Sequence, residues 1–166
     1  ANKRDSLFTD IQQATLFSSI QSSSVEEIDS INILQATLLA MKRAIESVID
    51  FIISSLNKPL GSIQKIYIDG NQSPKLSTQY RHLPLETIIQ GDAIMPIISA
   101  ASVLAKVARD REMEALSLVY PEYCFDTHKG YGTKLHLETL RKHGPCEIHR
   151  KSFAPVRQLV QVVEAT

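Results

Sequence analysis

The chain has 166 residues, 43 % of them hydrophobic and 22 % charged, with 18 Lys and Arg balanced by 18 Asp and Glu. That length and mixture suit one globular domain burying about two thirds of its unfolded surface. They exclude a membrane span, since the most apolar stretch, SVIDFIISSL, is short and carries Asp50. Two cysteines, Cys124 and Cys146, are too few for a disulfide framework and suit a reducing, cytoplasmic setting.

Behind ANKRDSLFTD there is no apolar run of the signal-peptide kind. Residues 2–13 read as an amphipathic helix with Leu7, Phe8 and Ile11 inward, and ATLFSSIQS (14–22) as a strand with Leu16 and Ile20 on its apolar side. Ser24 and Glu27 have capping-box spacing, so a helix should start near residue 24. Its stripe of Ile28, Ile31, Leu34, Leu38, Met41, Ile45, Val48 and Ile52 predicts one continuous helix, ended by Asn57, Pro59 and Gly61. Residues 63–69 and 84–91 read as strands, with a loop between them that turns at Gly70-Asn71.

Ser99 is expected to cap a helix reaching about Val119, with Leu104, Ala105, Ala108, Ala115 and Leu116 on its inner side. YPEYCFDTHKGYGTK reads as loop, residues 135–143 as a short helix, and a final helix starts near Pro155. Alternating strands and helices predict an α/β domain with at least one parallel pair. Charge shifts along the chain: residues 1–57 hold four Lys and Arg against seven Asp and Glu, whereas residues 126–166 hold seven against four. That basic stretch is either a solvated face or a surface that attracts phosphates.

KIYIDGN closes one predicted strand on Asp69, and ETIIQGD closes the next on Asp92. Either Asp alone is ordinary turn chemistry. Both together are more telling, because the carboxyl ends of parallel strands line the ligand crevice. Two carboxylates there repel unless they share a cation or proton. Mg²⁺ and Mn²⁺ take oxygen ligands, and such an ion can bridge a carboxylate and a phosphoryl oxygen while activating a water. There is no glycine-rich nucleotide loop. Ser102 and Lys106 lie four apart, a spacing better explained by chance or capping than by catalysis. Cys124, His128, His143, Cys146 and His149 fit no common zinc template.

The segments YIDGN, GDAIMPIISAASVLAKVARDREM, FDTHKGYGTKLHLETLRKHGPCEIHRKSFAPV and EIDSINILQATLLAMKRAI together resemble bacterial ribonuclease HII, the type 2 ribonuclease H, from Asn2 to about Leu159. The resemblance implies a single ribonuclease H-like domain over residues 1–166, a mixed sheet flanked by helices. Its helical, basic part, from about 120 to 166, would bind substrate. It implies a Mn²⁺- or Mg²⁺-dependent endonuclease acting on RNA–DNA hybrids or on duplex DNA containing a ribonucleotide, and leaving a 3′-hydroxyl and a 5′-phosphate. Asp69 and Asp92 match the third and fourth of four acidic residues and take catalytic and metal-binding roles. Tyr131 matches the tyrosine that packs on the sugar at the RNA–DNA junction, where the 2′-hydroxyl separates RNA from DNA. Without the resemblance, Tyr131 reads equally as a loop tyrosine covering the core edge. His128, Lys129 and Gly130 shape its loop. Lys106, Arg150 and Lys151 contact phosphates, with a structural role as the alternative for Lys106. A cytoplasmic monomer is expected.

The family's opening strand with its D-E-V-G-R-G-like motif, and the following D-S-K-like turn, have no match in these residues. That strand is central in the ribonuclease H fold, and unpaired buried backbone groups cost about 1–3 kcal/mol each against a total stability of about 5–15 kcal/mol. The 166 residues are therefore expected to be part of a longer polypeptide, and not to cut nucleic acid alone. Two other readings stay open: a non-catalytic nucleic-acid-binding fragment, and an unrelated α/β small-molecule binder.

Overall fold

The Ser24–Glu27 capping box forms as its spacing requires. Ser24 N–H donates to Glu27 Oε2 at 2.9 Å and Glu27 N–H donates to Ser24 Oγ at 3.2 Å. Helix α2 (Val25–Ser54) follows, but it is not continuous. Asn32 breaks it with φ 68° and ψ 164°. The Asn32 Oδ1 then accepts the N–H groups of Leu34 at 3.0 Å and Gln35 at 3.1 Å, capping the restarted helix. Asparagine tolerates positive φ and bonds local backbone, so a sequence can break here without losing its apolar period. Ile31 and Leu34, beside the break, are exposed rather than inward.

The computed structural model describes residues 2–164, with side chains over 3–161. They divide into two compact units: residues 2–23 with 36–107, and residues 24–35 with 108–164. Helices α2 and α4 (Pro96–Val119) contribute to both.

In the first unit, β1 (Ile66–Asp69) and β2 (Leu85–Ile88) pair in parallel, Ile66 opposite Leu85 and Asp69 opposite Ile88. Both are shorter than the apolar runs that announced them, and Ile89 is 69 % exposed just past β2. A parallel pair needs a crossover. Here residues 70–84 cross as turns held to α2: Tyr80 donates its hydroxyl to Asp50, and Ser77 N–H donates to Glu46 Oε1 at 2.6 Å. Buried Ile49, Tyr80 and Leu83 complete the join, with Ile45, Ile66, Leu76 and Leu85 around them. A second cluster joins Phe8 and Ile11 of α1 (Asn2–Ala14) to Val103, Leu104 and Val107 of α4. Leu7 stays 39 % exposed, against the inward position expected for it.

Residues 14–22 form no strand. Their apolar groups are used singly: Phe17 stacks on Phe51 at 4.3 Å, while Leu16 is 86 % exposed. Backbone groups nearby are taken by side chains, with Arg43 donating to the Ser22 carbonyl at 3.1 Å. Helix α4 starts at Pro96, three residues ahead of Ser99, because proline's fixed φ suits a first helical position.

In the second unit, the stretch expected as loop holds a 3₁₀ turn (Pro121–Tyr123) and a helical turn, α5 (Phe125–His128). Helices α6 (Lys134–His143) and α7 (Ala154–Glu164) follow near their expected places. Met113, Tyr123 and Phe125 form the core, with Leu116, Tyr120, Cys146 and Ile148 against it. Asp29 ties the chain ahead of α7, accepting N–H of Lys151 at 2.7 Å and of Ser152 at 2.8 Å. Burial raises the Asp29 carboxyl, but these bonds outweigh it and leave its pKa below the ordinary value. No described helix is long and apolar enough to cross a membrane.

Ile49 is 2 % exposed and Ile53, one turn on, is 36 % exposed. Ile49→Ala should lower stability by about 2–5 kcal/mol and Ile53→Ala by less than about 1 kcal/mol, read from urea midpoints.

Candidate active site

Asp69 is the last residue of β1, followed by Gly70 at φ 97°, whose N–H donates to the Ile88 carbonyl at 2.9 Å. Parallel pairing thereby brings the end of β1 beside the chain leaving β2. Gln90 then turns that chain at φ 56°, and Gly91 opens the single helical turn α3 (Gly91–Ile94). Asp92 thus lies in this turn, four residues past the end of β2, and not on a strand end as its apolar run suggested. The two acidic positions are still linked. Gly91 N–H donates to Asp69 Oδ1 at 2.9 Å, so the Asp69 carboxylate is held against the residue preceding Asp92. Both Asp side chains are exposed. Gly91 is buried and close-packed: a Cβ there would meet Ile98 Cδ1 at 2.6 Å and Asp69 Oδ1 at 3.3 Å. Among the described residues, no group of three or more His, Cys, Asp and Glu gathers into a metal-sized cluster.

In the second unit, Tyr131 is 61 % exposed while its backbone is bonded on both sides. Tyr131 N–H donates to the His128 carbonyl at 2.8 Å, and the Tyr131 carbonyl accepts from Thr133 N–H at 2.8 Å. Lys129 and Gly130 hold positive φ, 51° and 82°. A Cβ on Gly130 would also meet Arg109 Nη2 and Met113 Sδ, each at 3.3 Å. Lys129 is tied down by Glu114 Oε1 at 2.6 Å. His128 is buried, with Nε2 2.7 Å from the Tyr123 carbonyl and Nδ1 accepting Gly130 N–H at 3.2 Å.

Behind Tyr131 lie residues that sequence reasoning passed over or grouped differently. His136 Nδ1 is 3.0 Å from the Tyr131 carbonyl, and His136 Nε2 is 3.1 Å from His149 Nε2. Cys146 meets His149 Nδ1 through its backbone N at 3.1 Å and its Sγ at 3.0 Å. Burial, then the neighbouring His136, pushes His149 down to about 4, and burial also lowers His136. The one local signal was Thr133, which caps α6 by accepting His136 N–H at 3.3 Å. Of the candidate cations, Arg150 lies over the Phe153 ring at 5.1 Å, Lys151 is exposed, and Lys106 is half-buried in the first-unit part of α4.

A family model for ribonuclease HII matches residues 1–156. The ribonuclease HII of Burkholderia pseudomallei (strain 1710b) is 50 % identical over 163 residues, covering 98 % of this chain and 69 % of that protein. That of Bordetella avium (strain 197N) is 50 % identical over 157 residues, covering 95 % of this chain and 70 % of its own. The chain belongs to the ribonuclease HII family. It is a ribonuclease H enzyme by that membership, and its helix-rich architecture with a small parallel sheet is consistent with a ribonuclease H-like α/β fold. The unrelated small-molecule binder is thereby set aside.

Within this member of the ribonuclease HII family, the histidines impose a pH dependence. His149 takes its proton near 6.5 when unfolded and near 4 when folded. Between those values the unfolded chain binds more protons, so stability is complete above about pH 6.5 and falls as pH drops toward 4. His149→Gln should flatten that slope in urea midpoints measured from about pH 7.5 to about pH 4.5. Gly91→Ala should cost about 1–3 kcal/mol by overpacking, in the same assay at neutral pH.

Proposed function

We propose that this ribonuclease HII family member is a Mn²⁺- or Mg²⁺-dependent endonuclease. It hydrolyses the RNA strand of RNA–DNA hybrids and nicks 5′ to single ribonucleotides in duplex DNA, leaving a 3′-hydroxyl and a 5′-phosphate. The observation that carries this reading is the bond from Gly91 N–H to Asp69 Oδ1, which links the two acidic positions through one turn. The donors suit a hard cation: exposed carboxylates supply oxygen, and Mg²⁺ commonly binds one or two carboxylates, completing its shell with water and phosphate oxygens. Asp69 and Asp92 would hold the ion. A bound ion there supplies charge against the phosphoryl oxygens and lowers the pKa of its water.

The protein's own contribution is orientation and attraction. The Gly91 bond fixes the rotation of the Asp69 carboxylate while leaving it exposed. The Tyr131 ring offers an apolar face for a sugar, with His128, Lys129 and Gly130 setting its loop. Arg150, Lys151 and Lys106 draw in phosphates, which makes binding salt-dependent. Cytoplasmic location and a monomeric state belong to the same reading.

A second reading, binding without cutting, is favoured by the pairing of only two acidic positions among the described residues. A duplex with one embedded ribonucleotide, incubated with Mn²⁺ or with EDTA, separates the two. Metal-dependent nicking supports the first reading, and salt-sensitive binding without nicking supports the second. Asp69→Asn should reduce nicking by more than the about 10–100-fold typical of losing a group behind a metal ligand, with little change in binding. Undiminished nicking by that variant would remove Asp69 from the metal site. Tyr131→Ala should reduce the preference for the ribonucleotide.

A further inference from the structure

Tyr131 combines an exposed ring with a clamped backbone, and the clamp reaches three buried histidines, exposed by 5 % (His128), 4 % (His136) and 8 % (His149). Their proton positions follow from their partners. A carbonyl oxygen only accepts, so His136 Nδ1, 3.0 Å from the Tyr131 carbonyl, carries the hydrogen. A neutral imidazole has one N–H, which leaves His136 Nε2 as an acceptor. His149 Nε2, 3.1 Å away, must then be the donor. That makes His149 Nδ1 an acceptor, and it receives the Cys146 backbone N–H at 3.1 Å.

The two ends are fixed independently, one by a carbonyl and the other by an amide N–H. The contact in the middle needs one hydrogen and has one. Adding a proton to either ring would set two N–H groups against each other, or one against the Cys146 amide. The chain Cys146 → His149 → His136 → Tyr131 is therefore directed and neutral. His128 flanks it, stacked on His136 at 4.1 Å and 8°, while its Nδ1 holds Gly130 N–H. Glycine takes positive φ freely, but positive φ at the non-glycine Lys129 persists only where the surroundings over-determine it. Imidazoles committed at both nitrogens supply that constraint.

We propose that the directed chain from Cys146 through His149 and His136 is a positioning device: it fixes the Tyr131 carbonyl, and through it the ring whose contact sets ribonucleotide preference. This rests on the role given to Tyr131 under the proposed function. A buried histidine cluster serving only the core would affect stability without touching that preference.

The test uses the full-length protein with EDTA, so that no nicking intervenes. Fluorescence anisotropy measures the ratio of affinities for a duplex with one ribonucleotide and the same duplex in DNA alone. His136→Leu removes both ring bonds, whereas His136→Asn keeps an N–H near the place of Nδ1. The Leu variant should cut the ratio about tenfold, to the same extent as expected for Tyr131→Ala, with all-DNA affinity within about twofold. The Asn variant should restore most of it. Adding Tyr131→Ala to His136→Leu should give no further loss, because residues acting through one contact are not additive. Equal ratios in the Leu and Asn variants, multiplied losses in the double variant, or parallel loss of both affinities would overturn the proposal. Should His136→Leu fail to fold, His149→Gln, which keeps a donor to His136, against His149→Leu makes the same comparison. Nitrogen NMR adds a reading free of any ligand: His136 must be the Nδ1–H tautomer and His149 the Nε2–H tautomer, and the reverse at either ring ends the idea. Loss of preference in Tyr131→Ala but not in His136→Leu sinks this proposal alone. No loss in Tyr131→Ala sinks the Tyr131 reading as well.

Discussion

The parallel pairing of β1 with β2 is the constraint on which the first unit depends. It sets Asp69 opposite Ile88, so the chain leaving β2 passes the end of β1 within reach of the Asp69 carboxylate. A one-residue slip would turn Asp69 to the other face and remove the acceptor for Gly91. The register is supported from one side by Ile66 and Leu85, which pack with Ile49 of α2, and at its edge by Lys65 bonding Glu86 at 2.6 Å. The salt bridge is exposed and weak, so burial supports the register and the ion pair adds little.

The second unit solves a different problem, that of presenting an aromatic ring to solvent without letting its backbone wander. Loops are usually mobile at exposed positions. Here polar side chains are brought under the loop, where low dielectric strengthens each satisfied bond and makes each unsatisfied one costly. Among the described residues, no buried side-chain N or O lacks a hydrogen-bond partner. The neutral state of His136 and His149 follows from this geometry, since desolvation disfavours charge and each of their ring nitrogens has a single defined role.

Features that depend on near neighbours were legible in the sequence. The capping box, the ends of α6, the start of α7 and the presence of two short apolar strands all follow from residues within a few positions of one another, while the parallel pair was announced by the alternation of strands and helices. Family membership was legible too, through motifs spread over most of the chain. What could not be read depends on distant partners. The strand expected over 14–22 fails because no strand pairs with it, and apolar spacing alone cannot supply one. Asn32 was hidden because the apolar period resumes on its far side. Asp92 was misplaced by one turn because the left-handed Gln90 and close-packed Gly91 matter only once β1 lies beside them. The partnership of His136 with His149 spans 13 positions and two separate segments, so spacing carried no sign of it.

Asp29 gives the chain ahead of α7 a character of its own. Its carboxylate already occupies the Lys151 and Ser152 amides, which in many phosphate-binding loops would be left open as a rigid cradle for an anion. An approaching nucleic-acid strand would meet a negative group there, and any grip from this stretch must come through the long side chains of Arg150 and Lys151. Such a grip is tolerant of angle and distance, suited to following a backbone of any sequence and poorly suited to locking a lone phosphate in one orientation.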